Sequence, residues 1–183
     1  MRKMTGALLA AGLSLAISAA TAMPAAAAAA TPAAAGISGS ETVNGILVTS
    51  GVSGTRTTIS SVIVAKGVFG GVGRIVEIPR QPGDPANVNR YDLVYPVGTM
   101  HLVSTTVGAS FSVNPHNCLF KVTLQQTSQI TGGTGLFANA SGDFTSTVDA
   151  QGLSPRDPDG SCSTTQPSLH EVDMITSSGT QSF

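Results

Sequence analysis

The chain has 183 residues, with Lys and Arg numbering 9 and Asp and Glu 10, a formal net charge of −1, and only 10% charged residues. Gly, Ser, Thr and Val are plentiful and Trp is absent, the composition of a β-rich extracellular protein rather than a helical one. Its basic residues are scattered singly, which argues against a nucleic-acid partner, because phosphate binding needs clustered Lys and Arg.

In chain order, Arg2 and Lys3 come first, followed by the apolar stretch "GALLAAGLSLAISAATA" (Gly6 to Ala22) and then by small residues from Met23 to Ala35. That is the order of a secretory signal. It is expected over residues 1–30, with cleavage near 22–30, and it makes the protein secreted. A spanning helix needs about 20 strongly apolar residues. This stretch is mostly Ala, Gly and Ser, and no later one is long and apolar enough, so no stable membrane insertion is expected. With Arg2 and Lys3 removed, seven basic residues face ten acidic ones in about 150 residues, the length of one domain. Residues 31–40, "TPAAAGISGS", predict a flexible lead-in, and residues 41–183 a single β domain.

From there the chain repeats short β-branched runs separated by Gly, Pro, Asn or Asp, the pattern of strands and turns. The runs are Asn44–Gly51, Thr55–Phe69 and Gly71–Pro79, then a polar loop "RQPGDPANVNR" (Arg80 to Arg90). "YDLVYPVGTMHLVSTTV" (Tyr91 to Val107) gives a short strand, a Pro-Val-Gly turn and a longer strand, and Ala109–Asn114 gives another. Cys118–Ile130 has the cleanest alternation, with Phe120, Val122 and Leu124 on one face and Lys121, Thr123 and Gln125 on the other. Gly142–Leu153 follows, then a second polar loop, Ser154–Ser168, and a closing strand over Leu169–Phe183. About eight strands with tight turns make antiparallel neighbours that either close into a barrel or stack as a sandwich.

Cys118 and Cys162 are the two cysteines, and an even pair in an exported chain predicts a disulfide. The competing roles are a free thiol nucleophile, with His116 two residues away, and metal ligation.

The segment "ITGGTGLFANASG" (Ile130 to Gly142) begins like a nucleotide-binding turn. Such a turn works only between a buried parallel strand and a helix whose N-terminus receives the pyrophosphate. Here the following residues restart a strand, so glycine is expected to serve a tight corner, with Leu136 and Phe137 tucking inward. The same segment resembles the "GGTGxFxxAxG" stretch of the allene oxide cyclase and dirigent-like barrels, most closely the secreted actinobacterial proteins of that type. "GVFGGVGRIVEIP" and "GTMHLVST" extend the likeness over most of the mature chain. The resemblance implies an all-β fold, an eight-stranded antiparallel β-barrel with a central cavity. It does not carry over the cyclase reaction, since the cyclase pocket residues have no matching positions.

Candidate chemistry is sparse. His101, His116 and His170 have no zinc-ligand spacing, so no metal and no cofactor is expected. Asp157 and Asp159 in "RDPDG" predict a turn rather than a calcium site, and no GxSxG elbow is present. Glu77 in "RIVEIP" shares a face with Ile75. If Ile75 faces the cavity, Glu77 does too and is the candidate general base; if Val76 and Ile78 face it, Glu77 is solvated. Tyr91, Tyr95 and His101 are candidates for ligand contact. Three readings follow: a non-catalytic module holding a small apolar molecule or a partner, an isomerase or cyclase assisted by Glu77, and a side-chain-filled structural barrel acting in assembly, where a homo-oligomer would fit. Two Tyr, six Phe and no Trp make a large aromatic pocket hard to build and favour the first or third.

Overall fold

The computed structural model describes residues 36–52 and 54–183. The expected signal over 1–30 and the first part of the lead-in lie outside them. Eight strands form one closed antiparallel barrel in sequence order: β1 (Ser38–Ser50), β2 (Thr57–Gly67), β3 (Gly71–Ile78), β4 (Val88–Tyr95), β5 (Gly98–Val113), β6 (Leu119–Gly133), β7 (Ser141–Leu153) and β8 (His170–Ser182). β8 returns to pair with β1 from Ser38↔Ser182 to Thr49↔Glu171, which closes the barrel, and its narrowest seam is β2–β3, paired from Ile63↔Gly73 to Ala65↔Gly71. β1 opens at Ser38, ahead of the expected boundary at 41, because its first residues find partners on β8. Among the described residues no helix is long and apolar enough to cross a membrane.

Two details differ from the expected strand pattern. The run at Ala109–Asn114 is no separate strand: Gly108 sits at a register shift against β6 and β5 runs on to Val113. A bulge absorbs one residue and bends the strand without ending it. β4 begins at Val88, inside the expected loop, whose remainder is fastened when Arg90 donates from Nε and Nη2 to the two carboxylate oxygens of Asp84 at 2.8 and 2.9 Å. Those bonds and the Gln81 backbone N–H hold the Asp84 carboxyl down at about 2.

Side chains alternate in and out along every strand. On β1 Val43 and Leu47 are buried, on β3 Ile75, on β4 Leu93, on β5 Met100 and Leu102, and on β6 Phe120 and Ile130. The inward position of Ile75 settles the parity left open by the sequence: Glu77 faces the lumen. Outside, Met174, Ile46 and Val62 are exposed and adjacent across β8, β1 and β2.

The two ends of the barrel are built differently. At one end lie the short connections 68–70, 96–97 and 134–140, and there the lumen is plugged by rings. Phe137, at 0% exposure, is in contact with Phe69, Tyr95 and Phe183 at centroid distances of 5.1, 5.6 and 5.6 Å. The glycine segment puts it there. A 3₁₀ turn, Gly135–Phe137, is laced to the β4–β5 turn by the Thr134 N–H on the Thr99 carbonyl (2.7 Å) and the Leu136 N–H on the Val97 carbonyl (3.0 Å). Gly135 has a φ of 59°, and a Cβ there would stand 2.4 Å from the Val97 oxygen, so this close approach requires glycine. Leu136 departs from expectation: it is 45% exposed, because a single turn can point only one of two neighbours inward.

At the other end lie the long connections 79–87 and 154–169. Cys118 and Cys162 form the expected disulfide across 44 residues, and the described residues contain no free cysteine. It ties the start of β6 to the 154–169 loop, in which Asp159 accepts from the Ser161 N–H and hydroxyl at 2.9 and 2.6 Å, as a turn-forming Asp does. Replacing both cysteines by Ser is expected to lower stability by about 2–3 kcal/mol, chiefly by freeing the unfolded chain. Urea unfolding checks this, and an unchanged midpoint would contradict it.

Candidate functional site

Behind the aromatic plug the barrel holds a cavity of about 290 Å³, at the small end of the range for ligand pockets. All eight strands line it. Its middle is aliphatic, with Ile63, Ile75, Leu93, Leu102, Leu124 and Ile175 among its walls. Four serine hydroxyls on its wall are paired: those of Ser104 and Ser128 stand 2.7 Å apart, and those of Ser146 and Ser177 stand 2.8 Å apart. Each pair already holds one hydrogen bond, and the Ser177 hydroxyl also reaches the Thr145 carbonyl at 3.4 Å, which lowers the polarity that this wall presents to a guest.

Charge enters at the long-loop end. Arg56, just ahead of β2, reaches over the lumen and donates from Nη1 to Glu77 on β3, and from Nη2 to Asp173 (3.0 Å) and to Glu171 (3.4 Å) on β8. All four side chains line the cavity. Three carboxylates thus surround one guanidinium. Glu77 and Arg56 keep about a third of their side-chain surface, at 31% and 32%, whereas Asp173 keeps 8%. Burial pushes the Asp173 carboxyl up to about 7, the Glu171 charge adds to the rise, and Arg56 opposes it. A hydrogen bond shared with Glu171 adds to the rise as well, and once Asp173 is ionised no donor among the described residues reaches its Oδ1. Burial also raises the Tyr91 phenol at the cavity wall, with Glu77 contributing and Arg56 opposing.

The Asp173 shift has a consequence for stability. The folded protein holds a proton that the unfolded chain has released between about pH 4 and 7, so stability falls as pH rises through that window and levels off above it. Asp173→Asn is therefore expected to gain about 1–3 kcal/mol at pH 8 and to change little at pH 4. Urea titrations at the two pH values check it; a loss at pH 8 would contradict it. A residual slope is expected from Glu41. This carboxyl is buried beside the plug and raised by desolvation, and its Oε2 accepts from the Phe69 N–H and from Gln181 at 2.9 and 3.0 Å.

The structure brings two of the four sequence candidates to the cavity, Glu77 and Tyr91. Glu77 arrives bound to Arg56 rather than free. Tyr95 belongs instead to the plug, packed on Phe69 at 4.9 Å and on Phe137. His101 is on the outer face, its Nδ1 2.7 Å from Asp92 Oδ1, because β5 turns its even-numbered residues inward ahead of the bulge at Gly108. Among the described residues no group of three or more His, Cys, Asp or Glu is arranged to hold a metal ion.

Sequence reasoning missed Arg56, Glu171 and Asp173. The signal was present but inverted. In "HEVDMI" the apolar Val172 and Met174 occupy one face and the acids the other, which suggests acids toward water. The barrel turns that face inward, leaving Met174 49% exposed. No protein-family model, no curated protein and no solved structure matches the chain.

Proposed function

We propose that the protein is a secreted, non-catalytic binding module that takes a small, mainly apolar molecule into the barrel. The observation that carries this reading is the cavity of about 290 Å³, aliphatic in its middle, plugged by rings at one end and lined with charge at the other. An eight-stranded barrel is wide enough either to be filled by its own side chains or to hold one small guest. The plugged end follows the first pattern and the remainder the second. The disulfide supports an oxidising compartment. An eight-stranded antiparallel barrel is also what the likeness to allene oxide cyclase and dirigent-like proteins implied, and kinship with them is part of this proposal.

An isomerase or cyclase is the second reading, favoured by the inward face of Glu77 and by the Asp173 carboxyl poised near neutrality, where proton transfer is most efficient. The ion pair to Arg56 weakens the case for Glu77 as a free base.

Native mass spectrometry of the protein from its own host tests the binding reading. A bound small molecule that is lost on denaturation is expected, and Val148→Phe, which adds a ring to the cavity wall, should reduce its occupancy at least tenfold. A bare mass for the native protein would count against the reading.

A further inference from the structure

We infer that the molecule held in the barrel carries a protonated amine at one end, seated against Asp173, with its apolar body in the aliphatic zone. This rests on the binding reading and specifies the chemistry of the same site.

Three features of the charged end carry it. The first is charge: among the described residues Glu77, Glu171 and Asp173 line the cavity against a single cation, Arg56. The second is the state of the arginine. Its Nη1 is committed to Glu77 and its Nη2 to Glu171 and Asp173, so it is already shared among three carboxylates. A carboxylate or phosphate guest would meet three like charges and no free cation, whereas a cation would be attracted. The third is a vacancy in hydrogen bonding. Asp173 lines the cavity, its side chain is more than nine-tenths buried, and once it is ionised no donor among the described residues reaches its Oδ1. A buried carboxylate oxygen without a donor is costly, and the N–H groups of an ammonium supply the missing donor as a short charge-assisted bond. The other carboxylates have donors beyond Arg56: the Ser168 hydroxyl reaches Glu171 at 2.6 Å and that of Thr58 reaches Glu77 at 3.5 Å.

An organic cation suits the site better than a metal ion. The carboxylates are spread around a guanidinium rather than converged on one point. The aliphatic wall beyond them also gives an alkyl or cycloalkyl body somewhere to go.

The same geometry sets a pH dependence. Asp173 is faced by Glu171 on its own strand, by Glu77 on β3, by Arg56 ahead of β2 and by Tyr91 on β4. The flanking strands β1 and β7 turn only Leu47, Val148 and Ala150 to the cavity near it. An entering ammonium displaces the proton that Asp173 shares with this cluster, so amine binding strengthens as pH rises from 6 to 8, by roughly tenfold for one competing proton.

The test is a calorimetric or NMR titration of the folded wild type with n-hexylamine, 1-hexanol and hexanoate, which share one apolar chain. At pH 8 the amine is expected to bind at least about tenfold more tightly than the alcohol, and hexanoate most weakly. Asp173→Asn is expected to bring the amine down to the level of the alcohol. Alcohol binding equal to or tighter than amine binding in the wild type would overturn the cationic specificity while leaving the apolar-cavity reading in place. Failure of all three probes to bind would overturn both.

Discussion

Phe137→Ala is expected to destabilise the barrel by about 3–5 kcal/mol, the range for removing a fully buried aromatic ring. Phe137 is the centre of the plug, touching Phe69, Tyr95 and Phe183, and it is inaccessible to solvent. Each neighbour would lose an edge-to-face or tilted contact as well as its dispersion partner. The cost is expected at the high end because the surrounding backbone is poorly placed to collapse: the turn that carries Phe137 is pinned to the β4–β5 turn by the Thr134 and Leu136 N–H groups. Removing the ring also opens a second entrance to the lumen. Urea unfolding reads the energetic term, and the rate of exchange of a cavity-bound guest reads the opening. A loss below 1 kcal/mol would show that the plug is not the structural seal described here.

Arg56→Met keeps much of the length and volume of the side chain and removes its charge. It is expected to cost about 3–4 kcal/mol at pH 8, because carboxylates at the lumen lose the cation that compensates them. The sign of the pH dependence follows from Asp173. Its carboxyl is already raised, and without the arginine it rises further, so the folded state favours the proton more strongly. Stability is retained at low pH and lost as pH rises through the folded value. The deficit relative to wild type is therefore expected to shrink at pH 5, where Asp173 is neutral. A deficit equal at both pH values would mean that Arg56 acts through the packing of its stem rather than through its charge.

The strands were legible in the sequence where alternation and turn chemistry agreed, whereas closure into a barrel rather than a sandwich was implied only by the resemblance. Val122 and Leu124 face the lumen and Phe120 is buried, as the pattern of β6 indicated, and the Pro-Val-Gly turn separates β4 from β5. The cysteine pair and the use of glycine in a corner were legible for the same reason, since each depends on local chemistry. The site was legible only in part. Glu77 could be placed beside Ile75 but not inside or outside, because a strand's two faces are distinguished only by what packs on them. Arg56 lay in a stretch whose role depends on Glu77, Glu171 and Asp173, far away in sequence. Glu171 and Asp173 were hidden by an apparent surface pattern, because lumen acids beside outward Val172 and Met174 reverse the usual alternation. His101 and Tyr95 show the converse. Residue types suited to a site occur on an outer face and in a plug for packing and pairing reasons alone.

The most direct test of a guest-accessible apolar cavity is diffraction from crystals pressurised with xenon, which enters dry apolar cavities and avoids polar, hydrated ones. A xenon site enclosed by Ile63, Leu93, Leu102 and Ile175 is the predicted result, on the aliphatic side of Arg56 and Asp173. A lumen occupied by a hydrogen-bonded file of water, or closed by those side chains packed against one another, would contradict it.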